Sequence, residues 1–338
     1  MLDDSVTVAA LVLATGAVVL LTVGVRFTKV VDELADRTRL GEAVAGAVLL
    51  GAATSLPGLI TTITGAADGD AGFAVSNAVG GIAAQTTFLV LADLIYRNTN
   101  LEHAAASLPN LLQGAILVVL IGIALMATTG PDVAILGLHP ASIALIVVYV
   151  YGLNLVRGAR ATPMWRPRPT EETVVDDGAD TEDVDGSLRG LWARFGVMAL
   201  VVGVVGYLIG RSGLVVARET GLTGSVVGAV FTGVITSLPE LVTVLTAVRI
   251  GALTLAVSNI VGGNTFDVLF LAAADVAFRD GSVYAAAGQQ AIFMMALTAV
   301  LTAMLIGGLL VRDQRYIGFE GVAILGTYGI GVTALVAM

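Results

Sequence analysis

Residues 51–93 read GAATSLPGLITTITGAADGDAGFAVSNAVGGIAAQTTFLVLAD, and residues 233–275 read GVITSLPELVTVLTAVRIGALTLAVSNIVGGNTFDVLFLAAAD. The two stretches align without a gap at an offset of 182, and 20 of 43 positions are identical. Chance similarity between apolar helices would scatter over Leu, Val and Ala. Here the identities include Thr54/Thr236, Ser55/Ser237, Pro57/Pro239, Ser76/Ser258, Asn77/Asn259, Gly80/Gly262, Gly81/Gly263 and Asp93/Asp275. The polar ones are costly in lipid unless they face a cavity or a partner. The chain reads as an internal duplication.

The rest of the chain sets this duplication in a membrane. Of 338 residues, 57% are hydrophobic and 13% charged, against about a quarter charged in soluble domains. Mean hydropathy is +0.92. The chain has no cysteine, which excludes disulfide scaffolds, thiol catalysis and Cys-based zinc sites. A net charge of −9 argues against a nucleic-acid partner. Lys29 is the one lysine beside 16 arginines. That composition fits a GC-rich, salt-adapted prokaryote and equally fits simple GC bias.

Ten apolar segments are long enough to cross a bilayer core of about 30 Å, at roughly 5–27, 40–66, 71–96, 105–128, 132–156, 190–210, 222–247, 252–278, 286–311 and 316–337. Asp3 and Asp4 precede the first, which is too long for a secretory signal and reads as a retained helix. An outside N-terminus puts 14 basic residues on the inner side and three, Arg211, Arg218 and Arg279, on the outer side, as the positive-inside rule requires. The longest polar stretch, 157–188, carries Pro163, Pro167 and Pro169 and then an acidic run from Glu171 to Asp185. It reads as a cytoplasmic linker. The expected fold is an all-α polytopic membrane protein in the cell membrane, with ten transmembrane helices as two inverted five-helix repeats. The first repeat spans 1–156 and the second 189–338. An odd number of spans per half inverts the second half, a design shared by many secondary transporters, whose sites sit at the midplane on interrupted helices.

The repeated residues suggest what such a site would hold. Pro57 and Pro239 fall in mid-span and withhold the N–H that would reach the carbonyls of Ala53 and Ile235. Thr54, Ser55, Thr236 and Ser237 add hydroxyl oxygens beside them. Clustered oxygens in hydrocarbon need a partner, and a hard cation suits them. The paired glycines after Asn77 and Asn259 would let the third and eighth spans approach the second and seventh closely. The carboxylates are asymmetric: Glu240 and Asp267 stand where the first repeat has Gly58 and Gln85, and Asn264 matches Ile82. Without lysine or arginine at that depth, a metal ion or a proton must compensate Glu240 and Asp267.

Other polar residues read as structural. Asn77 and Asn259 suit interhelical hydrogen bonding. Asp93 and Asp275 lie near span ends and suit interfacial or helix-pairing roles. Glu42, Gln113, Gln289, Gln290 and Glu320 are single polar residues within or near spans, and His103 and His139 are too isolated for a metal site. His139, in the first third of the fifth span, suits the outer interface. No cofactor motif and no nucleophile–base pair appears, so an enzyme is not expected.

These motifs resemble the cation/calcium exchanger superfamily, which includes sodium/calcium exchangers. Its paired α-repeats carry a G-T-S-L-P-E-like motif on one helix and G-N-x-x-G-S-N on the next. The second repeat here reads T-S-L-P-E at 236–240 and S-N-I-V-G-G-N-T-F-D at 258–267; the first reads T-S-L-P-G at 54–58 and S-N-A-V-G-G-I-A-A-Q at 76–85. The resemblance implies ion-coupled antiport by alternating access, with the first and sixth helices sliding across a core of the others. It implies Thr54, Ser55, Ser76, Thr236, Ser237, Glu240, Ser258 and Asp267 as cation ligands, Gln85 as a neutral one and Glu240 as the central carboxylate. The partners are then membrane lipid and transported cations, Ca²⁺, Na⁺ or H⁺. Gly58 departs from the family's second acid; it supplies no ligand and is expected to leave room for water, so that Gly58→Glu should raise divalent affinity. Monovalent cation/proton exchange is the alternative within the class, and a cation channel or non-transporting sensor the alternative outside it.

Overall fold

The computed structural model describes residues 5–37, 51–96, 101, 105, 107–135, 138–161, 188–249, 251–311 and 318–338. Among them there is no strand, only an isolated bridge between Ile135 and Leu138. The helices are α1 (Val6–Arg37), α2 (Leu56–Ala67), α3 (Ala71–Ile95), α4 (Leu108–Thr129), α5 (Pro140–Ala161), α6 (Leu188–Thr220), α7 (Gly224–Thr236), α8 (Leu238–Arg249), α9 (Leu253–Asp267), α10 (Leu269–Ala277), α11 (Val283–Ala286), α12 (Gly288–Val311) and α13 (Phe319–Ala337).

Eight spans among the described residues are long and apolar enough to cross a membrane, α9 with α10 counting as one; α7 with α8, bent by 44°, make a ninth. The second expected span is represented by helical residues 51–54 and α2, while 40–50, with Glu42, lies outside the described residues. So do His103 and most of the linker, 162–187.

Several boundaries differ from the sequence expectation. The fifth helix starts at Pro140 rather than near 132, because proline is pre-set for a helix's first turn; residues 131–135, 138 and 139 are not helical. α1 and α6 outrun their apolar stretches, reaching Arg37 and Thr220: hydropathy marks what lipid covers, not where backbone hydrogen bonding ends. Side chains set other starts. Asp70 Oδ1 accepts from Phe73 N (2.8 Å), and the Ser107 and Thr223 hydroxyls accept from Asn110 N and Val226 N.

The duplication is visible in the backbone. Gly69 and Gly251, 182 apart, turn the chain after α2 and α8 with φ of 86° and 82°, a region glycine enters without strain. Asp93 Oδ1 accepts from Leu101 N at 2.7 Å, and its repeat mate Asp275 accepts from Val283 N, the mate of Leu101, at 3.4 Å.

Two large apolar clusters, with a small third of Val30, Leu34 and Leu191, organise the described residues. One gathers α3, α4, α5, α9, α10 and α12 around α3, which is buried nearly all round. The other is chiefly α1 against α6, with Leu13, Leu20 and Phe27 meeting Val202, Ile209 and Leu214. This α1–α6 pair leans on α2 and α8. Thr61 Oγ1 donates to the Gly206 carbonyl at 2.7 Å. Beyond it Arg211 and Arg218 pair with Asp68, the former at 2.8 Å. The repeat mate Thr243 turns back onto its own helix, bonding Pro239 O at 2.8 Å. α6 is therefore tied to α2 by the Thr61–Gly206 bond.

Candidate cation-binding site

Helical residues 51–54 end at Ser55 and residues 233–236 end at Ser237; α2 and α8 then restart with Pro57 and Pro239 as their second residues. The prolines are thus not kinks within one helix. They sit in the first turn of a new one, where a missing N–H is harmless. A π-helical stretch, Val227–Thr232, precedes the second break; such widened turns leave backbone groups off the usual ladder. Both breaks meet the middle of α3 and the end of α9.

Between them lies a cavity of about 10 Å³ walled by Ser55, Gly58, Asn77, Gly81, Gln85, Thr236, Ser237, Glu240, Asp267 and Phe270, about the least space that holds one water. Glu240 is 1% exposed and Asp267 3%. Gln85 Nε2 donates to Asp267 Oδ2 at 2.8 Å and to Ser237 Oγ at 3.2 Å. Gln85 and Asp267 are repeat mates, so the two repeats meet at this hydrogen bond. Ser55 stands toward Asp267 and Glu240 as Ser237 stands toward Gln85, and Thr54 also neighbours Glu240.

The polar inventory does not close. Ser55 Oγ, Gln85 Oε1, both Glu240 carboxylate oxygens and Asp267 Oδ1 are buried and complete no hydrogen bond of proper geometry. Buried polar groups are nearly always paired. Five oxygens without that pairing, two carboxylates among their carriers and no basic side chain in the wall describe a place for a cation. No cluster of three or more His, Cys, Asp or Glu occurs among the described residues, so the acid content is that of Glu240 and Asp267.

Of the expected ligands, Ser55, Gln85, Thr236, Ser237, Glu240 and Asp267 line the cavity. Thr54 Oγ1 turns toward Gly51 O at 3.2 Å. Ser76 and Ser258 are not in the wall; Ser258 Oγ bonds Asn110 Oδ1 at 2.8 Å and Thr254 O at 2.7 Å. Asn77, read as helix glue, holds Thr62, Thr232 and the Gly58 carbonyl and also lines the cavity. Phe270 was not singled out; its identity with its mate Phe88 was the available signal. The glycine pair of the first repeat serves the crossing with α7 rather than α2. A Cβ on Gly80 would stand 2.5 Å from Ala229 Cα, and one on Gly81 3.1 Å from Ser237 Oγ.

Gly58 lines the one-water cavity, and a Cβ there would meet Phe270 Cε2 at 3.1 Å, so a side chain at this position would press on the ring. His139 precedes α5 and is buried; its N–H and the Ser142 hydroxyl both donate to Asp275 Oδ2 at 2.8 Å. Asp275 therefore joins the α5 start to α10, the helix-pairing role expected of it.

The model of the family described as "Sodium/calcium exchanger protein" matches residues 8–157 and 190–337. A relative from Alkalimonas amylolytica named "Putative antiporter CaxA" is 24% identical over 309 residues, covering 88% of this chain and 89% of its own. The solved structure of the H⁺/Ca²⁺ exchanger CAX superposes with a TM-score of 0.64 at 11% identity, over 98% of this chain and 84% of that one. The sodium-calcium exchanger NCX_Mj, soaked with 10 mM Na⁺ and zero Ca²⁺, gives 0.62 at 17% identity, over 98% and 100%. At these identities the superpositions speak for the fold.

Proposed function

The chain belongs to the sodium/calcium exchanger protein family, and from that premise we propose that it is a cation/calcium antiporter. In this reading Ca²⁺ or a similar divalent ion is the substrate. It is held by Glu240 and Asp267 with Ser55 and Gln85, and it exchanges against H⁺ or Na⁺. The observation that carries the reading is the set of five buried oxygens that complete no hydrogen bond of proper geometry around a cavity of one-water size. Their hardness and charge suit a hard cation.

Obligatory exchange follows from the same atoms. Empty, the cavity holds two carboxylates with no basic neighbour, and an uncompensated buried charge costs several kcal/mol. A carrier that crosses only when loaded avoids that state. Two carboxylates balance one Ca²⁺, and each can carry one proton. A proton adds no volume to a cavity of one-water size, so H⁺ is the counter-ion this reading expects. The remaining framework belongs to the same proposal: ten spans as two inverted halves, 1–156 and 189–338, an outside N-terminus and a cytoplasmic linker at 157–188.

The test is radiolabelled Ca²⁺ uptake into proteoliposomes, driven in parallel arms by an outward H⁺ or an outward Na⁺ gradient. The reading expects gradient-driven uptake, stronger in the H⁺ arm and absent in Glu240→Gln. Uptake that ignores both gradients would mean a channel, and no uptake by folded protein would remove calcium as substrate.

A further inference from the structure

The cavity wall breaks the symmetry of the repeats. Glu240 and Gly58 are equivalent positions, so the fold offers two equivalent slots and puts a carboxylate in one. The other slot is bordered by an aromatic ring. A Cβ on Gly58 would lie 3.1 Å from Phe270 Cε2, 3.5 Å from Thr236 Oγ1 and 3.8 Å from Phe270 Cζ. Phe270 is 3% exposed and has little freedom. Its ring meets Phe266 edge-on, with centroids 6.1 Å apart and planes at 88°, and Phe266 meets Tyr149 at 6.1 Å and 65°. This row of rings joins α10, α9 and α5, and such edge-to-face contacts fix ring orientation.

A ring edge presents C–H bonds and no lone pair, so it neither ligates a cation nor accepts a proton. We propose that Phe270 is a specificity-determining residue. Its ring edge borders the slot left by Gly58 and limits the site to one divalent cation between Glu240 and Asp267. The inference rests on reading this cavity as the transport site. It qualifies what the sequence suggests for position 58: an acid placed there must first push the ring aside by a few tenths of an ångström.

The test is a double-mutant cycle on the full-length protein in detergent: wild type, Gly58→Glu, Phe270→Ala and the double variant. Equilibrium binding of radiolabelled Ca²⁺ is read on monodisperse protein. Gly58→Glu alone should leave the affinity within about threefold of wild type or weaken it. In the Phe270→Ala background the same change should raise affinity about tenfold or more, the coupling expected of residues that share one space. If Phe270→Ala does not give monodisperse protein, Phe270→Leu takes its place in the cycle, since it shortens the side chain and keeps apolar packing. A gain from Gly58→Glu of equal size in both backgrounds would overturn the role of Phe270. Wild type that binds no Ca²⁺ would instead overturn the reading of the cavity.

Discussion

Replacing Glu240 with Gln should have opposite effects on the loaded and the unloaded protein. Glu240 is 1% exposed, and neither carboxylate oxygen completes a hydrogen bond. Glutamine keeps the volume, removes the charge and turns one cation-facing oxygen into an N–H donor. Removing one partner from a buried ion contact costs about 3–5 kcal/mol, which is a loss of about a hundredfold to a few thousandfold in Ca²⁺ affinity. The Ca²⁺-free protein gains at alkaline pH, where Glu240 has lost its proton and would stand as an uncompensated buried carboxylate. Thermal melting in detergent at alkaline pH, with and without Ca²⁺, reads both signs together. The variant should melt above wild type in alkaline chelator and show little or no rise with Ca²⁺. A variant that melts below wild type in chelator, or keeps the full Ca²⁺-dependent rise, would refute the claim that Glu240 faces the cation without other compensation.

Other residues give independent checks. Gly80→Ala puts a methyl 2.5 Å from Ala229 Cα and should cost about 1–3 kcal/mol by overpacking; Gly122→Ala, which meets nothing within 4 Å, should be neutral or slightly stabilising, and comparative melting separates the two. Asp275→Ala strands the buried His139 N–H, while the Ser142 hydroxyl keeps Tyr284 as a partner; it should cost about 1–3 kcal/mol, seen as a lower melting temperature with Ca²⁺ affinity kept. Asp68→Asn weakens the tie to Arg211 and Arg218, which are 39% and 55% exposed; the loss should stay below about 1 kcal/mol and shrink in high salt, as melting at two ionic strengths would show.

The sequence made the duplication, the membrane setting and the two carboxylates legible, because polar identities at a fixed offset in apolar helices are hard to explain otherwise. It did not show which face of α3 looks into the cavity. That helix is buried nearly all round, so apolar periodicity carries no direction, and Ser76 and Asn77 differ by one 100° step. Asn77 faces the cavity, and Ser76 does not. Ser258 was equally ambiguous until Asn110 appeared beside it. Phe270 was hidden for another reason: a phenylalanine in a membrane helix is ordinary, and its effect depends on a side chain missing from a residue 212 positions away. The proline breaks were placed correctly, but a bend inside one helix and two helices meeting at Ser237 look alike in sequence.

The central claim is that the unpaired oxygens around Glu240 and Asp267 hold one divalent cation in exchange for the protons they otherwise carry. Equilibrium binding of radiolabelled Ca²⁺ to the purified chain, with the protons released counted in weak buffer, tests it directly. The account predicts one Ca²⁺ per chain, release of up to about two protons per ion as pH is lowered, and loss of both in Glu240→Gln and Asp267→Asn. Ca²⁺ binding that persists unchanged in both variants would contradict it.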